Sequence, residues 1–185
     1  MPSPSEVRPA RCMGCGAASR PHGGRLVVHG DGTRERQVRG PLKAGGSPEL
    51  TSVRARRYEC QDCGACMVVV PRELLPRRLY TASAIGFALA LWALLGTTEA
   101  TVRVRVSPMA FVGAAAEDSW ITLHRWTAAT VEGRLFASAT SRAPPSPLLS
   151  RRRQAERAAA ALVARAPPGT STETAAFAGA ALHPR

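Results

Sequence analysis

Cys12-Met13-Gly14-Cys15-Gly16 and Cys60-Gln61-Asp62-Cys63-Gly64 are two copies of one pattern, Cys-x-x-Cys-Gly, far apart in the chain. Each puts two thiols on one tight turn. The glycine after the second cysteine supplies the sharp bend that brings backbone N–H groups toward sulfur. Four thiolates from two such turns suit a tetrahedral Zn²⁺ with bonds of about 2.3 Å. The pattern therefore predicts Cys12, Cys15, Cys60 and Cys63 as metal ligands and Zn²⁺ as the cofactor.

Three alternatives stay open at this point. Cys66 offers a second register, Cys63-Gly64-Ala65-Cys66, but Met67 stands where the other two pairs have glycine. His22 or His29, between the two knuckles, would replace one thiolate. Disulfide pairing is the third, and the odd count of five cysteines opposes it. Pro2, Pro4, Glu6 and Pro9 also interrupt the start of the chain, where a secretion signal would need an apolar run. A reducing, cytoplasmic setting is the expectation.

Between the knuckles, Arg25–His29 and Thr33–Arg39 are short β-rich runs, and Gly30-Asp31-Gly32 is a turn signal that makes them a hairpin. Gly40–Pro48 is a Gly/Pro-rich loop. Extended structure resumes over Leu50–Glu59 and again over Met67–Val70. A small three-stranded sheet fits these pieces. So small a unit lacks the core to fold alone, and metal binding, on the order of 10 kcal/mol, would supply the difference.

Beyond the basic, proline-bounded stretch Pro71–Pro76, Thr81 is an N-cap candidate for a helix over Ala82–Leu95, with Tyr80 and Ile85 placed as a hydrophobic staple and Gly96 as its stop. Leu79–Thr98 holds twenty residues without a charge, long enough to cross a bilayer. Ser83, Gly86, Thr97, Thr98 and several alanines dilute it, and a strongly apolar run of about fourteen residues suits a buried helix better. Residues 97–106 carry a cap candidate, Thr98, and two terminal cations, Arg103 and Arg105, as a second helix would, which gives a helix-turn-helix form. The alternation Val102, Val104, Val106 equally fits a strand. After a small-residue connector, Phe111–Ala116, the segment Glu117–Trp126 is expected to hold a helix capped by Asp118 or Ser119. Its Trp120, Leu123 and Trp126 form one face for the core, and Arg125 points elsewhere. Ser141–Pro147 reads as a linker, Arg151–Arg165 as a helix with a basic first turn, and the remainder past Pro167-Pro168-Gly169 as a loose tail.

The 185 residues carry 25 basic against 13 acidic side chains, a formal net charge of +12, which favours polyanionic partners. All the cations but Lys43 are arginine, in an Ala- and Pro-rich chain, so part of the excess reflects composition rather than binding.

Two Cys-x-x-Cys-Gly knuckles, the junction Val70–Tyr80 and a following helical segment resemble the N-terminal zinc-binding region of bacterial insertion-sequence transposases. Ser119–Trp126 is similar to the helix-turn-helix part of related uncharacterised proteins. The resemblance spans residues 10–136 and implies recognition of double-stranded DNA. Only the four knuckle cysteines carry over position by position. Such transposases cut DNA with three carboxylates on a separate domain, by two-metal chemistry. After the tryptophan helix this chain has only Glu132, Glu156 and Glu173. No transposition chemistry is expected of it.

The expected fold is α+β, with a zinc ribbon at 10–70, a helical, helix-turn-helix-like domain at 71–140, and a linker, basic helix and flexible tail at 141–185. The expected function is non-catalytic DNA binding, as a stand-alone module or a mobile-element remnant. Arg54, Arg56, Arg57, Arg103, Arg105 and Arg125 are the candidate nucleic-acid contacts. The alternatives are a protein-interaction module with the tryptophans as an exposed anchor, and a small membrane protein with 79–98 as its span. Catalysis is the weakest class, because a Cys₄ zinc site has no open position and no base stands near Cys66 in the sequence.

Overall fold

The computed structural model describes residues 6–110, 113, 119–137 and 149–182. It is a mixed α+β chain, a three-stranded antiparallel sheet followed by five helices. The strands are β1 (Val28–Gly40), β2 (Glu49–Cys60) and β3 (Cys66–Val69), in that order across the sheet. The helices are α1 (Ala82–Ala93), α2 (Glu99–Val106), α3 (Ile121–Val131), α4 (Arg151–Val163) and α5 (Thr172–Ala181). By compactness the chain divides into two units, Met1–Gln37 with Ser52–Pro71 and Val38–Thr51 with Arg72–Arg185.

In the first unit the hairpin turn expected at Gly30-Asp31-Gly32 does not form. β1 runs straight through it, and Gly32 takes φ +76 inside the strand. A left-handed glycine marks a kink or bulge in a continuous strand as readily as a turn, so the residue types alone did not decide. The reversal comes instead between Gly40 and Glu49. β3 pairs only with the end of β2, Arg56 opposite Val69 and Tyr58 opposite Met67. Period-two alternation puts Tyr58 and Met67 on the buried face, where they meet Cys12, Val27, Val28 and Cys60. That small cluster, with the buried Ala55 apart from it, is this unit's apolar core among the described residues.

The second unit is built around α1. Every residue from Ala82 to Trp92 is buried, and a helix that is apolar all round must be enclosed on every side. α2, α3, α4 and α5 enclose it. The Thr81 side chain accepts the Ala84 N–H at 3.0 Å as the expected cap. At the other end Gly96 lets Thr97 fold back, its N–H and hydroxyl both donating to the Leu91 carbonyl at 3.0 and 2.6 Å. Among the described residues no helix is long and apolar enough to cross a membrane; the uncharged run of 79–98 is spent on a 12-residue core helix and its flanks.

Residues 99–106 are helical, so the valine alternation loses to the Thr98 cap, whose hydroxyl accepts the Thr101 N–H at 3.2 Å. Tyr80, Trp120 and Trp126 form an edge-to-face cluster with centroids 4.9–6.1 Å apart, and both tryptophans are buried. They are core, which removes the exposed anchor of the protein-interaction alternative. α3 starts later than expected, at Ile121, with no side-chain cap from Ser119. The Trp120 N–H donates instead to Glu99 Oε2 at 2.7 Å, and His124 Nε2 lies 3.1 Å from the same carboxylate. The connector Phe111–Ala116 lies outside the described residues except for Gly113, and Glu117, Asp118 and the linker Ser141–Pro147 lie wholly outside them.

The stretch expected as a loose tail is α5. Its signals were a Ser171 cap, whose hydroxyl accepts the Thr174 N–H at 3.4 Å, and an alanine-rich body with high intrinsic helix propensity. Small residues let α5 lie close against α1: a Cβ added at Gly86 would sit 2.6 Å from the Ala180 Cβ. Ala175, Ala176 and Ala180 are buried there.

Candidate metal centre

Both knuckles have the same backbone wiring. In the first, Gly16 N–H donates to the Cys12 carbonyl at 3.0 Å and Cys12 N–H to the Ala17 carbonyl at 2.9 Å. In the second, Gly64 N–H donates to the Cys60 carbonyl at 2.8 Å and Cys60 N–H to the Ala65 carbonyl at 3.0 Å. Gly16 and Gly64 take φ +74 and +70, a region costly for any residue with a Cβ. The glycine requirement read from the sequence is thus a requirement of the turn.

The two turns face each other. Cys12 Sγ is 3.6 Å from Cys63 Sγ, Cys15 Sγ is 3.8 Å from Cys60 Sγ, and all four sulfurs lie within 4.8 Å of one another. A regular tetrahedron with 2.3 Å arms has edges of about 3.8 Å. The four side chains therefore fit a tetrahedral metal ion with little rearrangement, and a disulfide would need sulfurs at about 2.05 Å. All five cysteines are free thiols.

Electrostatics favour a cation at the centre. The Cys15 N–H, aided by the Gly14 N–H 3.3 Å from the sulfur and opposed by burial, brings the Cys12 thiol down to about 6. The Ala65 N–H favours the Cys63 thiolate, yet the crowding thiols of Cys12 and Cys15, with burial, push it up to about 12. Cys15 is also raised: the Ala17 N–H and the Cys63 thiol favour its thiolate, but burial and the neighbouring Cys12 and Cys60 outweigh them. Four negative sulfurs cannot share this space without a positive charge among them. A divalent ion would supply it.

The other sulfur and imidazole candidates stay out of the cluster. Cys66 opens β3 on the face opposite Met67, with the Arg57 guanidinium 3.6 Å away. His22 is exposed, and His29 Nε2 contacts the Leu26 carbonyl at 2.8 Å. Sequence reasoning missed Gly14. A Cβ there would lie 2.9 Å from the Ala65 Cβ and 3.4 Å from the Cys63 Sγ, so a side chain at this position would hold the knuckles apart. The second knuckle has Asp62 at the equivalent place, paired with Arg25 at 2.7 Å, and repeat symmetry gave no cue.

The six arginines chosen from the sequence are divided between the two units, three in each. Arg54 and Arg56 alternate along one face of β2, and Arg57 points to the other, where it pairs with Asp31 at 2.8 Å. In the second unit, Arg105 is held by both Glu173 oxygens at 2.8 and 2.9 Å and lies over the Phe87 ring at 5.0 Å. Arg103 reaches the Ser119 carbonyl at 3.4 Å, and Arg125 is exposed on α3. Compared with known proteins, the chain matches no family model, no curated protein and no solved structure.

Proposed function

We propose that the chain is a zinc-stabilised, non-catalytic protein that binds double-stranded DNA, related to the DNA-recognising front of insertion-sequence transposases. The observation that carries the metal half is the four-sulfur cluster with edges near those of a zinc tetrathiolate. Four soft ligands on two knuckles suit Zn²⁺, which has no redox chemistry and takes four thiolates in a tetrahedron. With Cys12, Cys15, Cys60 and Cys63 all bound to it, the ion keeps no open position for a substrate, so its role is structural. It joins the segment around residue 12 to that around residue 60, across a core too small to do so alone.

The DNA half is supported by the arginine excess and by where it is displayed. Arg54 and Arg125 are exposed, Arg103 is half-exposed, and α1, the Gly96 turn and α2 follow one another in helix-turn-helix order. Native mass spectrometry of the purified chain tests the metal: one zinc in the wild type, none in Cys60→Ala. Fluorescence anisotropy with duplex DNA at low salt tests the partner. Phosphate contacts alone give measurable affinity there, so a flat titration would sink the DNA reading.

A further inference from the structure

Within the first unit, residues 29–37 of β1 and 52–57 of β2 make a ribbon that no hydrophobic cluster uses. The unit's core draws on Val27 and Val28 before this stretch and on Tyr58 and Cys60 after it. β3 covers only Arg56–Glu59, so most of the ribbon is two strands wide. A two-stranded ribbon is marginal in water by itself, and this one buries almost nothing beyond Ala55. Packing does not explain it.

The exposed side chains are His29, Thr33, Arg34, Glu35 and Gln37 on β1, with Ser52, Arg54 and Arg57 on β2. Apart from Glu35, these are hydrogen-bonding and cationic groups, of the kinds that contact phosphates and base edges. The stretch has no Phe, Tyr or Trp, so it offers no large apolar ring of the kind that anchors many protein partners. Its carboxylates are accounted for: Asp31 is held by Arg57, and Glu35 alternates to the strand face opposite Arg34. Nine residues of β1 extend about 30 Å. The major groove of B-DNA, about 12 Å wide, admits a two-stranded ribbon, whereas the deep, narrow major groove of duplex RNA does not.

We infer that this ribbon enters the major groove of duplex DNA, with Arg34 and Arg54 as its principal contacts. The inference rests on the DNA-binding reading above and deepens it by naming the element. It shifts weight from the helical unit to the sheet and adds a residue, Arg34, that the sequence did not single out.

The test is anisotropy of the zinc-loaded full chain on a mixed-sequence 25-base-pair DNA duplex and on the RNA duplex of the same sequence, from 50 to 200 mM salt. Arg34→Ala/Arg54→Ala is expected to weaken DNA binding at least about tenfold and to lower the salt slope by about two. The control Arg20→Ala/Arg151→Ala removes the same charge from exposed sites elsewhere and is expected to change affinity less than about threefold. Wild-type binding that survives the ribbon substitutions, falls equally in the control, or is as tight on RNA overturns the ribbon while leaving the nucleic-acid reading intact. No binding by the wild type overturns both. Circular dichroism and zinc content matching the wild type show that a weakened variant is folded.

Discussion

Metal uptake by the four-thiol centre should expel protons in a number set by the thiols it meets. At pH 7 Cys12, brought down to about 6, is already a thiolate; Cys15, raised above the ordinary thiol range, and Cys63, pushed up to about 12, still hold protons. An ion bound by four thiolates must displace those protons, so at least two leave per metal. Each contributes a factor of about ten per pH unit, and apparent affinity should rise at least about a hundredfold per pH unit near neutrality. The sign is fixed by competition: acid returns protons to sulfur and releases the metal, and below about pH 6 Cys12 joins in and steepens the dependence. Calorimetric zinc titrations in two buffers of different ionisation enthalpy count the protons directly. Chelator competition at pH 6.5, 7.0 and 7.5 gives the slope. One proton or fewer per zinc, or a slope below tenfold per unit, would refute the four-thiolate reasoning even if zinc were bound.

Three further outcomes follow from the packing and the ion pairs. Gly14→Ala puts a Cβ where it would sit 2.9 Å from that of Ala65, so it should lower zinc affinity at least about tenfold by parting the knuckles, as chelator competition would read; unchanged affinity would mean that the knuckles have slack. Gly86→Ala should destabilise the chain by about 1–3 kcal/mol despite a better helix former at that site, because α1 and α5 have no room for a methyl; a raised melting temperature would contradict this. Arg105, by hydrogen bonding and charge, holds the Glu173 carboxyl below its ordinary range, so the pair contributes stability above the unfolded carboxyl pKa of about 4.3 and loses it as pH falls through the lower folded value. Because both groups are about one-third exposed, Glu173→Gln should cost no more than about 1 kcal/mol at pH 7, and thermal melts of the two proteins should converge as pH falls through that lower folded value.

The four-thiol cluster was legible because its chemistry is local: a Cys-x-x-Cys-Gly turn needs its own cysteines and its own left-handed glycine, and all sit within five residues. α1 was legible for a related reason. An uncharged run with Thr81 before it and Gly96 after it names its own ends. What failed to show was whatever depended on distant partners. Gly32 sits inside a strand because of what β1 pairs with beyond it, and dipeptide preferences see only neighbours. α5 has too little hydrophobic bulk to advertise a core, since its value lies in being small enough to approach Gly86. Gly14 matters only because Ala65 stands opposite it, some fifty residues later. Glu99 gave no sign that it would cap the start of α3 in place of a local side chain.

The arginines show why a formal charge of +12 is a poor guide to where a polyanion would bind. Pairing leaves the net charge unchanged but alters which guanidinium groups a phosphate can recruit. Arg25, Arg57, Arg105, Arg134 and Arg153 each lie against a carboxylate, on Asp62, Asp31, Glu173, Glu132 and Glu156 respectively. A phosphate approaching Arg105 would have to break a two-oxygen pair and lift the guanidinium from the Phe87 ring, exchanging one anion for another and giving up the ring stacking as well. Arg57 meets a milder version of the same cost, being shared between Asp31 and the Cys66 sulfur. The exposed Arg34, Arg54 and Arg125 carry no such ion pair among the described residues. Exposed ion pairs stabilise little, so their main effect here is selective: they occupy cations that composition counts as available, and leave the ribbon and α3 among the places where charge can act on a partner.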